Sequence, residues 1–131
     1  MTMCSVFCFL GALAVAMGAF GAHALKNKVT EERLAVWVTA NHYHLAHCVA
    51  GAVLALGFSS LAVSNRMSSI ALWFFIAGIF FFSGSLYLLV LLNLPLLGAV
   101  APIGGLSFIM GWLLSGSAFF LCKNSSAKLI Q

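Results

Sequence analysis

Four stretches of this chain are continuously apolar for about the depth of a bilayer, and short polar stretches separate them. A hydrocarbon core about 30 Å thick takes roughly 20 residues of α-helix at about 1.5 Å per residue. The pattern therefore predicts helices over about 3–22, 40–63, 69–92 and 96–121. The runs do not alternate apolar with polar residues as barrel strands do. Lipid also requires every backbone polar group to bond within its own helix or a closed barrel. The expected fold is all-α: a polytopic membrane protein with four transmembrane helices in a bundle.

The junctions carry their own signals. The polar stretch from His23 to Arg33 contains Thr30-Glu-Glu, an N-cap followed by two acids where the helix dipole favours them. Between Thr30 and Leu61 there is no proline, and no glycine before Gly51. The second helix is thus expected to begin before its spanning part, as a short interfacial lead-in with Leu34, Trp37 and Val38 on its apolar strip. Ser64-Asn-Arg66 predicts a short turn, and Asn93-Leu-Pro95 a tight hairpin, because proline cannot continue a helix in register. Pro102 and Gly104-Gly105 predict a kink or an unwound turn early in the fourth helix. The tail from Lys123 is polar and expected to fray.

Small residues recur at helical spacing in two segments: Ala14, Gly18 and Ala22 in the first, and Gly104, Ser107, Gly111 and Ser115 in the fourth. Such stripes let helix backbones approach closely, so both are read as packing faces.

Composition agrees. At 63% hydrophobic and 6% charged, the 131 residues depart from a soluble domain, in which about a quarter of residues are charged. The net charge of +4 comes from six basic residues against two acids, with no basic block to track a phosphate backbone, so nucleic acid is not an expected partner. The expected surroundings are the lipid bilayer, with a second copy or another membrane protein as possible partner. The first apolar run lacks a basic region before it and is read as a retained helix. Lys26, Lys28 and Arg33 on one side balance Arg66, Lys123 and Lys128 on the other, so the positive-inside rule does not choose an orientation. The terminal amine tips the expectation towards cytoplasmic termini.

The candidate chemistry lies in the polar residues of the spans. His44, His47 and Cys48 share a helical face at a spacing that suits Zn²⁺ or Cu⁺, but a metal site needs further ligands and support. They are read as interfacial residues, with Trp37 and Tyr43 in the aromatic belt, and no metal or cofactor is expected. Tyr43 and His47, four apart, can meet on one face. Ser83-Gly-Ser85-x-Tyr87 and Pro102-x-Gly-Gly105 put small and polar groups into apolar helices, as a polar pocket or as a packed seam. Neither acid lies in a predicted span and no catalytic triad can be assembled, so no enzymatic activity is expected.

Four blocks carry a resemblance: Gly18-Ala-Phe-Gly-Ala-His-Ala-Leu-Lys26; Trp37-Val-Thr-Ala with Tyr43 and His47; Phe82-Ser-Gly-Ser-Leu-Tyr87; and Pro102-Ile-Gly-Gly-Leu-Ser-Phe108 with Gly111-Trp112. Together they resemble the DUF423 family, also called UPF0382, small bacterial inner-membrane proteins with animal relatives in the transmembrane protein 256 group. The resemblance implies a four-helix protein of the bacterial plasma membrane without a settled activity. It also places His23, Thr39, Tyr43, His47, Ser83, Ser85 and Tyr87 on motif positions, and these form the candidate polar site. Two functions are expected from this reading: a non-enzymatic membrane factor or subunit, or an oligomeric transporter or channel for a small solute, proton or metal ion.

Overall fold

The computed structural model describes residues 2–61, 63 and 66–128, with 123–128 described by backbone alone. All regular structure among them is helical. Helix α1 is α-helical over Met3–Phe20 and closes in a π-helical turn, Gly21–Leu25. Helix α2 is Glu31–Ser60. Helix α3, Arg66–Leu92, is α-helical on either side of a π-helical segment, Ile79–Gly84. Helix α4, Ala101–Lys128, is entered through a 3₁₀ segment, Pro95–Ala99. Met3–Leu25, Glu31–Ser60, Arg66–Leu92 and Pro95–Cys122 are each long and apolar enough to cross a membrane.

The helix ends follow from local chemistry. The Thr2 and Thr30 hydroxyls accept from the Ser5 and Arg33 amides, and Glu31 and Glu32 lie in the first turn of α2. With no breaker to stop it, α2 carries its lead-in and its span as one helix. Helix α3 stops at Asn93, whose φ of 56° is left-handed, a conformation asparagine tolerates. Pro95 then opens the 3₁₀ segment. The Arg33 guanidinium donates to the Asn93 side chain and ties this turn to the start of α2.

One expectation is corrected here. The fourth helix runs unbroken through Gly104-Gly105, and the irregular backbone lies before it, at Pro95–Ala99 and Val100. Pro102 falls in the first turn of α4, where a missing N–H is no loss. Backbone helix also continues to Lys128. The expected turn at Ser64-Asn65 and the last residues, 129–131, lie outside the described residues.

Two antiparallel pairs make the closest approaches, α1 with α2 and α3 with α4. Each is fastened by aromatic rings seated on the partner's glycines in both directions. A Cβ added at Gly51 of α2 would fall 2.3 Å from the Phe7 ring of α1, and one at Gly21 of α1 would fall 2.5 Å from Trp37 of α2. In the other pair, Phe108 of α4 lies over Gly78 of α3, and Phe75 of α3 lies over Gly111 of α4. These rings fill the space a side chain would take, which is how helices gain van der Waals contact where lipid offers no hydrophobic drive. The closest backbone approach is at Gly104, where an added Cβ would lie 2.2 Å from the amide nitrogen of Phe82 in the π-helical segment of α3.

Helix α2 joins the pairs. Its side chains reach α1, the π-helical and final segments of α3, and, through His47 and Phe58, the rings of α4. The buried apolar residues form two clusters. One, around Phe7, Cys48, Phe58, Phe75 and Phe108, lies towards the end of the molecule that holds Thr2. The other, around Leu25, Trp37, Tyr87 and Val90, lies towards the α1–α2 connector. Asn41, His44, His47, Ser83 and Ser85 fall between them.

Candidate functional site

The polar residues of α2 face two directions. Trp37, Asn41 and His44, at offsets of four and three, face α1 and the end of α3. Tyr43 and His47 face the π-helical segment of α3 and helix α4. The candidate residues thus form two clusters.

In the first, two side chains of α2 bond to backbone carbonyls of α1. The Trp37 indole donates to the Met17 carbonyl at 2.9 Å, and Asn41 Nδ2 to the Ala14 carbonyl at 2.6 Å. The Met17 carbonyl also accepts from the Gly21 amide, which it shares with Gly18, and its second lone pair takes the indole. The second proton on Asn41 Nδ2 goes to the Tyr87 hydroxyl at 3.2 Å. That oxygen lies 3.4 Å from His44 Nδ1. The hydroxyl keeps both a proton and a second lone pair for His44 Nδ1, so either partner can donate across this long contact. His44 Nε2 is buried and completes no hydrogen bond among the described residues. The Tyr87 ring packs on Trp37 with centroids 4.5 Å apart.

In the second, His47 Nδ1 lies 2.8 Å from the Tyr43 carbonyl, which can only accept. Nδ1 therefore carries the proton. Nε2 is left as an acceptor, and the Trp112 indole donates to it at 3.4 Å, a long bond. His47 is thus neutral with both nitrogens engaged. Its ring stacks on Phe108 with centroids 3.6 Å apart and touches Phe75 and Tyr43.

The remaining candidates do not join these clusters. His23 is exposed in the turn that closes α1. Since Gly18 lies against Asn41 and Gly21 against Trp37, His23 sits about three helical turns from the level of Tyr43 and His47. Thr39 is exposed and donates to its own helix at Ala35. Ser85 turns back to the Phe81 and Phe82 carbonyls, capping the π-helical segment. Ser83 is fully buried, and among the described residues its hydroxyl has no hydrogen-bond partner. A bond from His47 to any of these serines is therefore not made.

The metal candidates diverge as well. His44 and Cys48 face α1, where Cys48 lies under Gly11, while His47 faces α4. Among the described residues no three His, Cys, Asp or Glu side chains converge. Trp37 is 1% exposed, so it belongs to the core and not to an aromatic belt.

Of the packing residues, Ala14, Gly104, Gly111 and Ser115 are buried between helices, and Gly18 lies against Asn41. Ala22 is exposed, because the inward stripe of α1 continues from Ala14 and Gly18 to Gly21 and Leu25, at offsets of three and four. Ser107 is partly exposed, with its hydroxyl on the Ile103 carbonyl. The residues that sequence reasoning missed are Asn41, Phe108 and Trp112. Asn41 was open to detection, as an amide three and four residues from His44 and Trp37. The other two take their role from the neighbour they meet.

Residues 17–105 match the family described as "Protein of unknown function (DUF423)". The chain is similar to a UPF0382 membrane protein of Staphylococcus saprophyticus, 45% identical over 83% of this chain and 92% of the relative. It is likewise similar to the UPF0382 membrane protein YwdK of Bacillus subtilis, 42% identical over 83% and 91%. A UPF0382 membrane protein of Staphylococcus aureus is 45% identical over 83% and 90%. No solved structure matches. The chain is an integral membrane protein that belongs to the DUF423, or UPF0382, family.

Proposed function

We propose that this protein is a non-enzymatic membrane factor or subunit whose polar intramembrane residues fasten its helices together, and which acts by packing with a copy of itself or another membrane protein. The observation that carries the reading is the use of hydrogen-bonding capacity inside the spans. Both nitrogens of His47, both amide protons of Asn41 and the Tyr87 hydroxyl bond to the chain itself. A conduction path needs polar groups open to a passing solute. Here they are spent on the fold, at about 0.6 to 1.7 kcal/mol for each interhelical bond.

The placement that fits is the plasma membrane of a bacterium, as the bacterial relatives suggest, with both ends of the four-span unit on the cytoplasmic side. The two acids, Glu31 and Glu32, are exposed at the head of α2, away from both clusters.

Reconstitution into liposomes tests the reading against transport. The expected result is no proton flux above that of empty liposomes, for wild type and His47→Ala alike, with lowered thermal stability in the variant. Flux in wild type that His47→Ala abolishes would overturn it.

A further inference from the structure

We propose that the cleft between the end of α1 and the start of α2 seats one acyl chain of an anionic phospholipid, with its phosphate held at Lys26. The cleft measures about 140 Å³. Gly18, Gly21 and Ala22 line it on one side, Leu34 and Val38 on the other, with Trp37 and Asn41 at its base. Lys26, one residue beyond the end of the first span, lines the end of the cleft nearest the boundary between hydrocarbon and headgroups, and this end serves as its mouth in the proposal. From Lys26 to Gly18 it runs about 12 Å along α1 towards the bilayer interior.

The chemistry of the walls selects the occupant. Deep in the cleft the donors are already used: the Trp37 indole is on Met17, and both protons of Asn41 Nδ2 are on Ala14 and Tyr87. The Asn41 Oδ1 atom is closed against Gly18, since a Cβ there would lie 2.9 Å from it. A small anion entering this space would find no donor beyond the mouth, whereas a hydrocarbon chain finds apolar walls throughout.

The mouth is different. Lys26 is exposed there with Lys28 beside it on the connector, and Arg33 lies just inside α2. Against these three cations stand Glu31 and Glu32, so the connector keeps a net positive charge next to the membrane surface. One cationic end and one apolar channel match an amphiphile with an anionic head.

Native mass spectrometry tests this with the full chain in detergent, supplied with equal amounts of phosphatidylglycerol and phosphatidylcholine bearing the same acyl chains. Wild type is expected to retain one phosphatidylglycerol with about a fivefold preference, as one lysine near a charged surface supplies. Lys26→Gln should reduce the preference to near unity. Ala22→Phe, at an exposed position, should fill the cleft and release lipid of both kinds, and Val38→Phe provides a second filling variant should the first fail to fold. Excess inorganic phosphate should displace nothing. Equal retention of the two lipids by wild type, an unchanged preference in Lys26→Gln, full occupancy in a folded cleft-filling variant, or displacement by free phosphate would each overturn the proposal.

Discussion

Replacing Gly104 with alanine adds one methyl group where two helix backbones touch. That methyl would lie 2.2 Å from the Phe82 nitrogen and 2.7 Å from the Phe81 carbonyl carbon, about 1.2 Å short of ordinary contact at its nearest atom. Those are backbone atoms, so no rotamer change relieves the clash and α4 must move away from α3. Overpacking usually costs about 1 to 3 kcal/mol. Here the separation also loosens Phe108, which one turn further along α4 lies over Gly78 and under the His47 ring. Alanine's better helix propensity returns at most about 1 kcal/mol. A net loss of about 2 kcal/mol or more is expected.

Gly116→Ala is the internal control, because a Cβ there meets nothing within 4 Å. It should be neutral or stabilising by up to about 1 kcal/mol. Equilibrium unfolding in mixed micelles, titrated with denaturing detergent and followed by circular dichroism, reads both variants. A Gly104→Ala protein as stable as Gly116→Ala would refute the close backbone approach and the helix pairing built on it.

Tyr87→Phe removes the hydroxyl that Asn41 and His44 share; unfolding titrations should show a loss of about 1 to 3 kcal/mol. Adding Asn41→Leu to that variant should cost less than Asn41→Leu costs alone, with a coupling of at least about 0.5 kcal/mol; strict additivity would count against the shared bond. Gly18→Ala should be milder than Gly104→Ala, because what it meets is the end of the Asn41 side chain, and the same titration orders the two. Elemental analysis of washed protein should find less than one metal per chain; a stoichiometric metal lost on combining His44→Ala with His47→Ala would contradict the divergence of these side chains.

Some of this architecture was legible in the sequence for physical reasons. Continuous apolarity set the spans, Thr30 with its two acids set the start of α2, and Asn93-Leu-Pro95 set the hairpin. The π-helical turns were not legible, because a widened turn has no residue signature of its own. Gly21-Ala-His-Ala-Leu25 reads as ordinary helix, and so does Ile79–Gly84. The histidines illustrate a second limit. Spacing put His44 and His47 on one broad face of α2, but the neighbours decide the chemistry, and one meets Tyr87 of α3 while the other meets Phe108 and Trp112 of α4. His23 carries a motif position and lies apart from both.

The central claim is that Asn41, His47 and Tyr87, within the spans, bond to the chain itself and link its helices, and so are not open to a passing solute. It is tested most directly by ¹⁵N nuclear magnetic resonance of the His47 imidazole in purified protein at neutral pH. The account predicts a single neutral form with the proton on Nδ1, and an Nε2 signal that shifts when Trp112 is replaced by Phe. A proton on Nε2, or an exchanging mixture of forms indifferent to Trp112→Phe, would contradict it.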